Sequence, residues 1–220
     1  MKVFVIIPAF NEEARIGQVL TELSDLPYNV VIVDDASTDQ TSRAASQFKV
    51  TVLRHRINRD QGASLQTGNQ YALSQGAEVI VHFDADGQFL VSEIKDIIGP
   101  IINNDYDVVF GSRFLAKKSE MPWLKKHFVF PIARLVNWLF FRIKFTDPQS
   151  GFRAMSRRAA QKIIIEQDGK AHCSEILSKV FSLKLKAKEV PMTVIYHHFG
   201  QNIGGGWKIV KDLLFSKLIK

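Results

Sequence analysis

The 220-residue chain holds one cysteine, Cys173, so no disulfide can form within it. That fits a reducing, cytoplasmic setting, and a buried, inert thiol is the expectation for it. Long apolar runs are also missing. A bilayer crossing needs about 18 or more apolar residues, and the nearest approach, Phe128 to Phe141, is broken by Pro131, Arg134 and Asn137. Met1 to Pro8 is too short, and lacks the cleavage region, for a secretory leader. The glycine fingerprint of dinucleotide folds does not follow the first apolar segment, and no phosphate-loop GxxxxGK[ST] occurs, which argues against dinucleotide oxidoreductases and P-loop enzymes. Internal repeats, low-complexity tracts and linker-like stretches are absent too, so one domain over 1–220 is expected.

What is present is an uneven charge. Residues 1–112 carry 8 Lys/Arg and 15 Asp/Glu, whereas residues 113–220 carry 21 and 7. The basic half either faces an anionic partner or is a well-solvated surface; charge by itself does not choose.

Strand and helix signals alternate. Short β-branched runs at Val3–Ile7, Val30–Val33, Val50–Leu53, Val79–Phe83 and Val108–Phe110 are separated by helical spacings at Glu12–Leu23, Asp39–Phe48, Gln61–Ser74 and Val91–Ile102. Strands this apolar are covered on both faces, so the expected fold is α/β with a mostly parallel sheet flanked by helices. Ligands on such sheets gather at the carboxyl ends of the strands. Beyond residue 113 the pattern predicts helices at Trp123–Val129 and Ile132–Ile143, a polar loop at Asp147–Phe152, helices at Arg157–Glu166 and Ser174–Leu183, strand at Ala187–Tyr196 and a last helix at Trp207–Ile219.

Chemistry concentrates at the predicted strand ends. Asp84-Ala85-Asp86-Gly87-Gln88 follows the fourth strand, and two carboxylates one residue apart can face one hard divalent cation such as Mg²⁺ or Mn²⁺. Pro8 to Glu13 closes the first strand, and Val33-Asp34-Asp35 to Asp39 the second, where carboxylates and helix N-termini can receive a nucleotide. Each motif alone also reads as a turn or a helix cap. His197-His198 suits a surface role, since neighbours on a strand face opposite ways.

Together, "IPAFNEE", "VVIVDDASTDQT", "DADGQ", "GSRF" and "DPQSGFRA", in this order, resemble family 2 inverting glycosyltransferases of the GT-A fold. The likeness extends to the dolichyl-phosphate mannosyltransferase-like branch and its bacterial polyprenyl-phosphate relatives, and "AHCSEIL" with "KEVPMTVIY" extends it further. The resemblance implies roles. Pro8, Phe10, Asn11, Glu12 and Asp35 match positions that hold the nucleoside of a GDP- or UDP-sugar. Asp84, Asp86 and Gln88 match the ligands of Mg²⁺ or Mn²⁺. Ser112, Arg113 and Arg134 match positions that grip an acceptor phosphate. Asp86, Arg153 and Glu175 match catalytic positions, and His172 lies beside the last. Asp60 stands where relatives often have glycine, in a turn that Asp tolerates with left-handed backbone. Phe89 replaces a frequent histidine. A basic serine-lysine signature of many relatives gives way to Gln201–Gly206, ahead of the amphipathic Trp207–Lys220.

The implied reaction is metal-dependent transfer of a sugar, with inversion, from a nucleotide diphosphate to a polyprenyl phosphate. A hydroxyl acceptor is the alternative and would need a general base such as Asp147 or Glu175, whereas a phosphate is already ionised. A non-catalytic nucleotide-sugar binding protein is a third reading. Segment 113–144, with 8 Lys/Arg against Glu120 alone and interleaved Trp and Phe, reads either as a pair of membrane-interface helices (121–143) or as core aromatics with solvated lysines. The expected partners are thus the donor, the lipid phosphate and a membrane surface met peripherally, with no nucleic acid.

Overall fold

The computed structural model describes residues 1–103, 105–115 and 145–195. They form one seven-stranded sheet: β1 (Val3–Ala9), β2 (Asn29–Asp34), β3 (Thr51–Arg54), β4 (Val79–His82), β5 (Val108–Ser112), β6 (Arg153–Ser156) and β7 (Ala187–Pro191). Its order is β3-β2-β1-β4-β6-β5-β7. The helices are α1 (Glu13–Ser24), α2 (Thr41–Ala45), α3 (Asp60–Ser74), α4 (Ile94–Ile102), α5 (Arg157–Lys162) and α6 (His172–Ser182), with a 3₁₀ turn at Val91–Glu93 leading into α4.

The period-two pattern of β1 assigns its faces. Val3, Val5, Ile7 and Ala9 join a core under α1 and α4, whereas Phe4 and Ile6 join one under α3, α5 and α6. In α1, Ile16, Val19, Leu20 and Leu23 form the buried stripe that helical spacing demands. Each such side chain removed from water contributes roughly 1.5–3 kcal/mol.

The mostly parallel sheet is as expected, with one strand the sequence did not announce: β6 runs antiparallel to both β4 and β5. This strand was hidden in the sequence: Arg153-Ala154-Met155-Ser156 has no apolar run, and its burial comes from being enclosed between two distant strands. The helix expected over Arg157–Glu166 stops at Lys162, since Ile163 and Ile165 are buried while Ile164 is exposed, an alternation that only extended chain provides. The helix expected over Asp39–Phe48 shortens to Thr41–Ala45, its start set by Asp39, which accepts from the Thr41 N–H. The helices expected at Trp123–Val129, Ile132–Ile143 and Trp207–Ile219, His197-His198 and Arg134 lie outside the described residues. Among the described residues no helix is long and apolar enough to cross a membrane.

Candidate active site

The carboxyl ends of β1, β2 and β4 open on a cleft of about 310 Å³. Pro8, Ala9, Phe10 and Glu12 come to it from β1 and the loop beyond, and Asp35 from the end of β2. Asn58, Asp60, Gln61 and Ser64 come from the start of α3, and Asp84, Ala85 and Asp86 from the turn after β4. Six residues to which the resemblance gives site roles therefore share one cavity, Pro8, Phe10, Glu12, Asp35, Asp84 and Asp86, together with Asp60, noted in the sequence only for its turn. The contribution of α3 was not foreseen.

The loops after β1 and β2 are joined by short polar side chains. Asn11, with a left-handed backbone (φ 55°), accepts through Oδ1 from the Thr38 N–H at 2.9 Å, and its own N–H donates to Ser37 Oγ at 3.0 Å. The Glu12 N–H donates to Thr41 Oγ1 at 2.8 Å. Ala36 also lies at positive φ (60°), where an alanine is uncommon, so this stretch holds local strain of the kind found beside binding sites. Asn11 thus braces the cleft wall. Asp35 is buried and its carboxylate accepts from the Arg59 N–H at 2.9 and 3.0 Å and meets His55 Nδ1 at 2.7 Å. The same carboxylate that lines the cleft also anchors the turn leading into α3. Asp60 in that turn has φ 67°, the left-handed geometry a glycine would supply.

Asp84 and Asp86 follow β4 on a turn bracketed by Phe83 and Phe89. These two rings pack on each other and on Phe152, with centroids 5.3–5.8 Å apart, so Phe89 is a structural anchor for the turn. Asp84 Oδ1 accepts from Gln61 Nε2 at 2.9 Å. Its Oδ2 lies against Gly151, where any Cβ would stand 2.9 Å away, so the glycine of "SGFRA" is needed for that approach. Burial, then the neighbouring charges of Asp86 and Cys173, push the Asp84 carboxyl up to about 7, against the pull of Arg153 and His172. Burial also raises Glu12, aided by Asp86 and Asp39 and opposed by Arg15, its ion-pair partner at 3.2 Å. Gln88 lies beside the pair, its N–H donating to Asp86 Oδ1 at 3.0 Å and its carbonyl accepting from Ile195.

A mount of one or two carboxylates completed by phosphate oxygens is the usual one for Mg²⁺ or Mn²⁺. The donor set fits: two carboxylates are crowded, burial penalises the charge of Asp84, and a divalent cation would offset that penalty. Among the described residues no group of three or more His, Cys, Asp or Glu side chains forms a cage made by protein alone.

Behind Asp84 lies a buried polar layer. Arg153, fully enclosed, faces His82 in the β4–β6 register and donates to Cys173 Sγ at 3.1 Å and to the Gly151 carbonyl at 3.3 Å. His172 Nε2 lies 3.4 Å from the same sulfur. Burial opposes ionisation of Cys173, but Arg153 and His172 outweigh it and bring the thiol down to about 6. Cys173 is buried, as expected, and its surroundings are cationic. Arg153 thus stands behind Asp84 as a buried charge.

The remaining candidates lie away from this cleft. Arg113 forms a two-pronged pair with buried Asp147, Nε to Oδ2 at 2.6 Å and Nη2 to Oδ1 at 2.7 Å. Asp147 and Thr146 are in turn held through their N–H groups by Glu189. Ser112 Oγ meets Thr146 Oγ1 at 2.6 Å. Glu175 accepts from the N–H groups of Glu166 and Gln167 at 2.9–3.1 Å and from Lys179 Nζ at 2.7 Å. Ser112, Arg113 and Glu175 are not among the residues lining the cleft.

A nucleotide-sized cleft at the strand ends, with an Asp-x-Asp turn beneath it, is the geometry the sequence motifs share. A model of the family described as glycosyl transferase family 2 matches residues 4–164. The chain belongs to glycosyl transferase family 2. It is a glycosyltransferase with the GT-A arrangement, a mixed sheet flanked by helices. Two relatives span nearly the whole of this family 2 chain. An uncharacterized protein of Methanocaldococcus jannaschii is 39% identical over 99% of it and 93% of the relative. The UDP-N-acetylglucosamine--dolichyl-phosphate N-acetylglucosaminyltransferase of Methanococcus voltae is 34% identical over 99% and 97%. In fold the chain is similar to glucosyl-3-phosphoglycerate synthase from Mycobacterium tuberculosis, solved with Mn²⁺, uridine diphosphate and glucosyl-3-phosphoglycerate: TM-score 0.75 at 18% identity, covering 97% of this chain and 78% of that one.

Proposed function

We propose that this glycosyltransferase moves a sugar from a nucleotide diphosphate to an acceptor with inversion, using a divalent cation held by Asp84 and Asp86, with Gln88 beside them. The observation that supports the reading is one cleft lined by Pro8, Phe10, Glu12 and Asp35, which we assign to the nucleoside, and by the two aspartates, which we assign to the diphosphate. Pro8 and exposed Phe10 offer an apolar surface for a base or ribose, and the Asn11–Thr38 brace fixes the wall they stand on. When bound, Mg²⁺ or Mn²⁺ supplies compensation for the charge that develops on the departing diphosphate. Inversion follows from direct displacement at the anomeric carbon.

The acceptor is inferred from what the carboxylates are doing. A hydroxyl acceptor needs a general base, and the two candidates, Asp147 and Glu175, are engaged, the first by the Arg113 fork and the second by two backbone N–H groups and Lys179. An acceptor that arrives ionised, a polyprenyl phosphate, needs none. The Methanococcus voltae relative, named for transfer to dolichyl phosphate, supports this choice. So does the basic, aromatic composition of segment 113–144, suited to peripheral docking on anionic lipid at the cytoplasmic face. A hydroxyl acceptor is the second reading, and two observations favour it: Arg113, expected to grip an acceptor phosphate, spends its fork on Asp147, and the structural neighbour is named a glucosyl-3-phosphoglycerate synthase, with no lipid in its name.

The test is a panel of UDP- and GDP-sugars with Mn²⁺ or Mg²⁺, offered undecaprenyl phosphate in one arm and soluble saccharides in the other. A lipid-phosphate sugar of inverted configuration is expected. Label that enters only the saccharides selects the second reading, and turnover undiminished in EDTA removes the cation from the mechanism.

A further inference from the structure

Glu175 lies on α6 and outside the cleft, yet its hydrogen bonds lead back to it. Its carboxylate holds the N–H groups of Glu166 and Gln167. The next carbonyl along, that of Asp168, accepts from the Gly62 N–H in the first turn of α3 at 2.6 Å. The approach is so close that a Cβ on Gly62 would stand 2.0 Å from the Gln167 carbonyl oxygen, a distance no side chain can occupy. Earlier in the same stretch, the Ile165 N–H donates to Gln66 Oε1 at 2.8 Å. Residues 165–168 are therefore a strap tied to α3 at two points and to α6 by Glu175. The residue before Gly62 is Gln61, the donor to Asp84.

We propose that Glu175 is a positioning residue for the Asp-x-Asp turn: it fixes the strap, the strap fixes the first turn of α3, and Gln61 on that turn sets the orientation of the Asp84 carboxylate. This rests on the reading of Asp84 as a cation ligand. The physical reason is directional. A carboxylate rotates about its last bond unless a hydrogen bond opposes it, and a partner outside the coordination sphere governs how well a ligand is presented. Gln61 can do this only if its own backbone is fixed, and a helix's first turn, with N–H groups that lack partners within the helix, is its least constrained part. The strap provides one of those partners.

The experiment is a double-mutant cycle read by binding of Mn²⁺ alone, followed by the electron paramagnetic resonance of the free ion. Gln61→Leu should weaken binding about tenfold or more. Glu175→Gln, which loses the second acceptor oxygen and the charge that holds Lys179, should weaken it about fivefold. In the Gln61→Leu background, Glu175→Gln should add nothing, because its effect travels through the missing amide. Should Glu175→Gln fail to fold, Gln66→Leu loosens the same strap at its other tie, and the same lack of additivity is expected. Additive losses, or Mn²⁺ binding that ignores Glu175 and Gln66, overturn the proposal alone. Should Mn²⁺ alone not bind, the same cycle is read with UDP or GDP present, whose phosphate oxygens complete the mount, and failure of the unaltered chain to bind Mn²⁺ there too overturns the cation reading and this proposal with it.

Discussion

Carboxylates are treated in opposite ways in two parts of this molecule. At the cleft, Asp84 and Asp86 lie one residue apart, and Asp84 takes its hydrogen bond from the neutral amide of Gln61. At the base of the 145–152 loop, Asp147 is met by the full guanidinium fork of Arg113, and Glu189 holds the adjoining backbone. The first arrangement leaves negative charge crowded together, and the second matches it atom for atom. Crowded carboxylates are relieved by a retained proton or by a cation from outside, whereas charge matched internally holds a loop in shape. On the cation reading proposed above, the comparison separates a site built for a ligand from one built for rigidity, even though Asp84 and Asp147 each come from a motif with the same family resemblance.

The comparison breaks most readily at Asp86. Asp86→Ala should lower turnover of the nucleotide sugar about a thousandfold, while thermal unfolding of the cation-free chain shifts little or upward, since a repulsion on Asp84 has been removed. A variant that loses turnover and unfolds early would make Asp86 a structural residue.

The opposite pattern is expected at the matched pair. Arg113→Ala should cost about 3 kcal/mol of stability in urea unfolding, because it leaves Asp147 buried without its counter-charge. Donor KM should stay close to that of the unaltered chain. If stability holds and only acceptor KM rises, Arg113 is an acceptor ligand and the contrast between the two regions fails.

The smallest effect sharpens the comparison through pH. With its carboxyl held up to about 7 in the folded, cation-free chain, Asp84 carries a proton at pH 6 that Mn²⁺ must displace. Affinity should therefore fall as pH drops below about 7, approaching tenfold per unit, and level off above it. Titration calorimetry at pH 6, 7 and 8 in buffers of different ionisation heat would count the released proton. A flat profile would place the Asp84 carboxyl in the ordinary range.

Much of the first half was legible in the sequence because local pattern and tertiary fate agree there. Apolar β-branched runs became β1 to β5, and the buried stripe of α1 falls on the periodic residues Ile16, Val19, Leu20 and Leu23. What escaped was decided by partners far along the chain. β6 is a strand because β4 and β5 enclose it, and four residues that include an arginine and a serine give no sign of that. Within the site, residues with a chemical signature, Asp84 and Asp86 above all, could be named in advance. Gln61 could not, since a glutamine near a helix start has no distinguishing pattern, and its meaning depends on a carboxylate 23 positions away. Glu175 was noticed for its place in a motif; that its carboxylate accepts from the Glu166 and Gln167 N–H groups had no sign in the sequence.

The position of β6 also bears on how the chain assembles during synthesis. β1 to β4 can pair as soon as they emerge, but β5 finds no place beside β4, because the strand that separates them lies some forty residues further on. Until Arg153–Ser156 arrives, the outer edge of β4 presents unpaired backbone groups and invites pairing with another chain. The same late strand brings Gly151 and Arg153 up to Asp84. A nascent or truncated chain ending before residue 153 would therefore be both sticky and without its Asp-x-Asp turn fully framed, so that escape from aggregation and completion of the candidate site come with one event.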